Sequence, residues 1–257
     1  VGGFQPTEPP DNIPHGVIMM MALDLQKTEV AWQTFDDSKG GDTRLTWKGT
    51  GAYQQLRPRL LELSSRGAGI FCNVNVMGPG ATNKRGIVAA RCLWIDLDYG
   101  APLDGFTRGG EPNLIVATKA GTHCYWILDQ PIEMAEAMEL NKALALRYGG
   151  DPAVVGPDRV MRYPGFPHQK DPADPFDVRV LHWRQRSKYT AQDLQLERLS
   201  EQQWRGYITW NRERSPGPLP AESRAAWAAL CDGGSYDTSK PQPGAGKGRP
   251  ARRQQPD

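Results

Sequence analysis

Apolar residues fall along this chain in short runs, and their spacing changes from one run to the next. In "YQQLRPRLLELSSRGAG" the residues Leu56, Leu60, Leu61 and Leu63 recur at near-helical intervals and stop at Gly67. "IEMAEAMELNKALALRY" is the strongest helical pattern, with Ile132, Ala135, Met138, Ala145 and Leu146 on one stripe. Gly149-Gly150 closes it, since glycine adopts the left-handed turn that ends helices. "GIFCNVNVMG" at 69–78 alternates like a strand and "IVAARCLWIDLD" follows as another. The two are expected to form a hairpin around the glycine-rich basic loop "GPGATNKRG". "NLIVAT" and "THCYWIL" predict a further pair around "KAG", and "FDVRVLHW" one more strand. Residues 17–23 suit a buried strand, although Met-rich runs also suit helices. "DPAVVGPDRVMRYPGF" is irregular and ends in a segment read as a short helix.

Strands in antiparallel pairs, segregated from helices, predict an α+β domain with a mixed or antiparallel sheet rather than a doubly wound one. The expected organisation is a flexible N-terminal arm at 1–16, one domain at 17–190, a helical region at 191–232 and a disordered basic tail at 233–257. The chain starts at Val1 without methionine, so a processed or excised fragment lacking a neighbouring domain is expected.

Composition narrows the class. Of 257 residues, 39% are hydrophobic and 23% charged, as in ordinary globular proteins. A net charge of +2 cannot by itself attract a polyanion, so any nucleic-acid contact needs a local basic patch. Cys72, Cys92, Cys124 and Cys231 lack CxxC spacing, which points to reduced thiols in an intracellular, cytoplasmic protein and to no structural zinc. No run approaches the roughly 20 apolar residues of a membrane span, and no signal peptide is visible.

The chemistry begins at "CLWIDLDYG". Alternation puts Asp96 and Asp98 on one face with Trp94, while Leu93, Ile95 and Leu97 take the other. Two neighbouring carboxylates repel unless a proton or cation sits between them, and a hard divalent ion meets that need. The alternative is that one Asp caps the turn before Tyr99-Gly100. Lys119 and His123 in "TKAGTHCYW" suit phosphate or sugar oxygens, although a histidine beside Cys124 is also a natural core residue. Asp151 directly follows the glycine stop of its helix. Arg159 and Arg162 are spaced to share a helical face, with His168 and Lys170 just beyond a Pro-Gly bend. Arginine forks bind phosphate oxygens in pairs; the competing reading pairs them with Asp158, Asp171 or Asp174. Acids for metal and cations for a triphosphate together describe nucleotidyl transfer.

Over roughly residues 70–183 the chain resembles the archaeo-eukaryotic primase superfamily, especially the RepB-like primase and primase-polymerase domains of plasmids and phages. "LWIDLD" is similar to the family's first motif and "KAGTH" to its second, with Gly121 where serine is frequent. Asp151 in "GGDPA" matches the third motif's acid, with Asp158 as a rival, and "RVMRYPGFPHQK" resembles the arginine-rich Pro-Gly stretch. The resemblance implies an RRM-like catalytic sheet with a smaller α/β N-terminal lobe. It implies template-directed primer synthesis and DNA extension from NTPs or dNTPs with Mg²⁺ or Mn²⁺. Asp96, Asp98 and Asp151 would be the metal-binding catalytic acids; Lys119, His123, Arg159, Arg162 and Lys170 would hold the nucleotide. Lys84 and Arg85 would touch template phosphates, and Tyr99 and Trp126 are either base platforms or core aromatics. Expected partners are single-stranded DNA template, primer, and a helicase domain C-terminal to this segment. "GPGATNKRG" is not a P-loop. The rival readings are a non-catalytic replication-initiator DNA-binding domain and a metal-dependent nuclease.

Overall fold

The computed structural model describes residues 4, 6–27, 29–38, 40–98, 106, 110–185 and 188–213. Tyr99, Cys231, the helical expectation beyond 213 and the 233–257 tail lie outside them.

Two antiparallel sheets carry the architecture. Strands β1 (Val30–Asp36), β2 (Trp47–Gly51), β3 (Ala68–Cys72) and β8 (Met161–Arg162) form a four-stranded sheet in the order β2-β1-β3-β8. Strands β4 (Val76–Met77), β5 (Ile87–Asp98), β6 (Leu114–Ala117), β7 (Gly121–Ile132) and β11 (Arg179–Trp183) form a five-stranded sheet in the order β11-β6-β7-β5-β4. Between β8 and β11, the short strands β9 (Pro167–His168) and β10 (Phe176–Asp177) pair with each other. The helices are α1 (His15–Ala22), α2 (Tyr53–Ser65), α3 (Met134–Tyr148) and α4 (Glu201–Glu213).

The alternation along β5 and β7 divides the core in two. Cys92, Trp94, Tyr125 and Ile127 join Trp32, Ile70, Leu60 and Met19 in one cluster, which fastens the four-stranded sheet, α1 and α2 to one face of the larger sheet. Leu93, Ile95, Leu97, Cys124 and Trp126 meet α3 and α4 on the other face. Trp126 has no exposed surface and stacks on Tyr148 at 5.7 Å between centroids, so it is a core aromatic and no base platform.

Beyond its brief pairing with β4, the edge of β5 is closed by the helix layer rather than by a strand. The Trp94 N–H donates to Asn141 Oδ1 on α3 at 3.0 Å, its indole to Val154 O at 2.8 Å, and Asp151 N–H to Asp96 O at 2.8 Å. Gly149 ends α3 with φ +75°, as its sequence predicts. At the opposite edge, Trp183 N–H donates to Thr7 O and Thr7 N–H to His182 Nδ1 at 2.7 Å, while Phe4 packs edge-on against His182.

Three local expectations are overturned. Residues 17–22 belong to helix α1 and Leu23 follows its end; burial of Ile18, Met19 and Met20 against the sheets favours the helical option. The 69–78 segment makes no single hairpin with β5: β3 pairs with β1 and β8, and only Val76–Met77 turns to meet β5. The segment before the Pro-Gly bend is strand β8, not a short helix, because Met161 and Arg162 pair with Cys72 and Phe71.

Candidate active site

Register brings the first two motifs together. Asp96 on β5 lies opposite His123 on β7, and Asp98 lies opposite Gly121. His123 Nε2 stands 3.8 Å from Asp96 Oδ1, beyond hydrogen-bond length. Burial, reinforced by the Arg162 guanidinium and then His168, pushes the His123 imidazole down to about 3, so the ring is neutral at pH 7. The contact is therefore a polar juxtaposition, not an ion pair. Burial also keeps the Tyr125 hydroxyl protonated, and that hydroxyl lies 3.5 Å from His123 Nδ1. When that hydroxyl donates to Nδ1, the His123 proton sits on Nε2, the nitrogen that faces Asp96.

The third motif meets the first through the backbone. Asp151 is bonded to Asp96 main chain to main chain, while its carboxylate accepts the Ala153 N–H at 2.8 Å and caps the turn Pro152–Val154. Asp158, its rival, lines a separate cavity with Asn73 and Lys84. Among the described residues, no group of three His, Cys, Asp or Glu side chains converges closely enough to hold a metal ion by protein ligands alone. Asp96 and Asp98 on one face nonetheless fit a hard cation such as Mg²⁺, which takes one or two carboxylates and completes its shell with water and phosphate oxygens.

The cations gather beside His123, with partners that the sequence did not reveal. Arg162 makes a two-pronged ion pair with Asp37, at 2.9 and 2.7 Å, and lies over the Phe71 ring at 4.5 Å. Asp158, Asp171 and Asp174 are not its partners. Asp37 also accepts the Gln169 N–H at 2.6 Å. Gly69 makes room for this pair: a Cβ there would stand 2.9 Å from Asp37 Oδ1 and 3.0 Å from Arg162 Nη1. Lys119 Nζ pairs with the Asp174 carboxylate at 2.8 Å and also donates to the Asp174 carbonyl. Lys119 and Lys170 face an open cleft of about 580 Å³ with Ser38, Asp171 and Asp174. His168 lies near Arg162, Asp37, Lys170 and Lys119; burial first, then Arg162, lowers it to about 4, and its Nδ1 is buried with no hydrogen-bond partner.

Arg159 is placed differently. No helical turn relates it to Arg162, and its Nε is buried without a hydrogen-bond partner. Lys84 and Arg85 sit on a turn before β5, at the other end of that strand from Asp96, a span of about 30 Å at the usual rise per residue.

The profile of the RepB DNA-primase N-terminal domain matches residues 36–203, more than half of the chain. The chain belongs to the RepB primase family. The AEP domain of the cyanophage S-2L primase-polymerase is similar in structure, with a TM-score of 0.56 and 16% identity, over 71% of this chain and 96% of that domain. The catalytic domain of primase RepB′, solved with initiator DNA, gives 0.54 and 16% over 71% of this chain and 93% of that one. No curated protein matches. The α+β architecture is thus the archaeo-eukaryotic primase fold. Gly121 now has a reason in place of the family's frequent serine: a Cβ there would stand 1.9 Å from Leu97 O.

Proposed function

We propose that this chain is the catalytic domain of a DNA primase-polymerase serving phage or plasmid replication in the cytoplasm of a bacterial host. It would add nucleotides to a primer strand on single-stranded DNA. One observation carries the reading: β-pairing and one backbone bond join Asp96, His123 and Asp151, from three distant parts of the sequence, and Lys119, two residues before the His123 strand, lines a cleft with Lys170, Asp171 and Asp174. Asp96 and Asp98 would hold Mg²⁺ or Mn²⁺, with Asp151 preferred to Asp158 as the third acid. When bound, such ions neutralise phosphate charge and activate the attacking 3′-hydroxyl. Lys119 and Lys170 bind the triphosphate of an incoming NTP or dNTP, which draws Lys119 from Asp174. His123 donates from Nε2 to a phosphate oxygen as a neutral group. Arg162 spends two donors on Asp37 and presents its remaining N–H groups near His123. Family membership and the initiator DNA bound by the similar RepB′ domain support a DNA substrate. A helicase is the expected partner beyond the C-terminal end.

The test is incubation with single-stranded template, labelled nucleotides and Mn²⁺. New or extended oligonucleotides, lost at least a hundredfold in Asp96→Ala, are expected, with extension of a primer more efficient than initiation. A shortened template would instead identify a nuclease, and retention of DNA without chemistry an initiator module.

A further inference from the structure

The outer face of the four-stranded sheet carries more than Arg162. Alternation along β1 turns Trp32 and Thr34 into the interior and Gln33 and Phe35 outward, and the outward pair is half-buried. Register extends that face across the sheet: Lys48 lies opposite Gln33, Gln33 opposite Phe71, and Phe71 opposite Arg162. Phe35 stacks on Phe71 with centroids 4.3 Å apart and planes 21° from parallel. The Arg162 guanidinium covers the Phe71 ring, which is 9% exposed, so half-buried Phe35 is the more accessible member of the stack. Toward the end of the sheet away from Asp37, the face sinks into a cavity of about 200 Å³ lined by Gln33, Lys48, Asn73, Asn83, Lys84 and Asp158.

The chemistry of this face selects its occupant. Among the described residues, neither Lys48 nor Lys84 has a carboxylate within ion-pair distance, and Arg85 is exposed beside Lys84. Two lining cations, Lys48 and Lys84, therefore outnumber one lining acid, Asp158, with Arg85 next in sequence to Lys84, a balance suited to a phosphate chain. An aromatic stack among amides and lysines matches unpaired bases on a charged backbone, where every base offers a π-face and amides meet base edges. The cavity is smaller than ordinary small-molecule sites, about 300–1,000 Å³, and fits one base of a strand that lies across the open face.

We propose that this face is a binding track for single-stranded DNA, with Phe35 stacking a base and Lys48 and Lys84 contacting phosphates. Only the strand's role as template rests on the polymerising reading; the binding itself does not. Fluorescence anisotropy with a labelled oligothymidylate, in EDTA and without nucleotide, tests it. Phe35→Leu keeps the apolar volume and is expected to weaken binding about tenfold, while Phe35→Trp retains it. The Lys48→Ala/Lys84→Ala protein should lower the slope of log affinity against log salt by about 1.4. Wild-type affinity in Phe35→Leu together with an unchanged salt slope in the lysine variant overturns the proposal. So does a duplex of the same sequence bound as tightly as the single strand. Primer extension on the same preparations separates the two claims. Phe35-dependent binding without nucleotide addition sinks only the polymerase; extension with Phe35-independent binding sinks only the track.

Discussion

Asp37 and Arg162 stand 125 positions apart in sequence, yet their side chains are only 4% and 11% exposed and meet at both prongs. Pairs this deep return little net stability when intact, because both ions were desolvated, but leave an uncompensated charge when one partner goes. Asp37→Ala is therefore expected to lower the unfolding free energy by about 3–5 kcal/mol in urea titration. Adding Arg162→Met to it should restore most of that loss; a double variant as weak as the sum of the singles would contradict the account. None of this was legible in sequence. Asp37 sits in "FDDSKGGD", which reads as a polar turn, and no local pattern says which distant cation it meets. Asp96 and Asp98 were legible as a pair because strand alternation assigns a side chain to a face; His123 was legible as a candidate through its motif, but not as the residue opposite Asp96. Asp151 was legible as a position, but the use of its carboxylate as a turn cap was not.

The elements that sequence predicts well are those whose own pattern settles them. β5, β6 with β7, and α3 fit alternation or helical stripes, and Gly149 marks its stop. α1 and β8 were decided by tertiary context: a largely apolar eight-residue segment at the first, and two residues at the second that acquire strand form only by pairing with β3. β3 and β4 split between two sheets for the same reason, since a run of alternating residues does not name its neighbour. The β5–β7 contact also sets a tolerance that composition hides. Gly121 lies so close to Leu97 O that Gly121→Ser or Gly121→Ala must push the strands apart at Asp96 and His123. A cost of about 3 kcal/mol, the upper range for overpacking, is expected in thermal or urea unfolding. Restoring the family's usual serine should thus damage this member; a Gly121→Ser protein of undiminished stability would show that the strands can part freely.

At the scale of the whole molecule, all four histidines are held below their ordinary value, burial being the largest cause in each: His123 to about 3, His168 to about 4, and His15 and His182 downward. In the unfolded chain they titrate near pH 6.5. Between that pH and each folded value the unfolded state holds more protons, so stability rises with pH there. The contribution is complete above about pH 7.5 and drains away as pH falls through 6.5 toward 4. Urea midpoints at successive pH values should decline over that window, with net proton uptake on unfolding; a flat profile would contradict it. The outermost strands of the larger sheet are also guarded. β4 is two residues long, and β11 has Thr7 bonded to the backbone of Trp183 and to the ring of His182. Open strand borders invite pairing between copies. With one border only two residues long and the other fastened to Thr7, the larger sheet offers a second copy little open ladder to knit onto, so the fold resists edge-to-edge aggregation at high concentration.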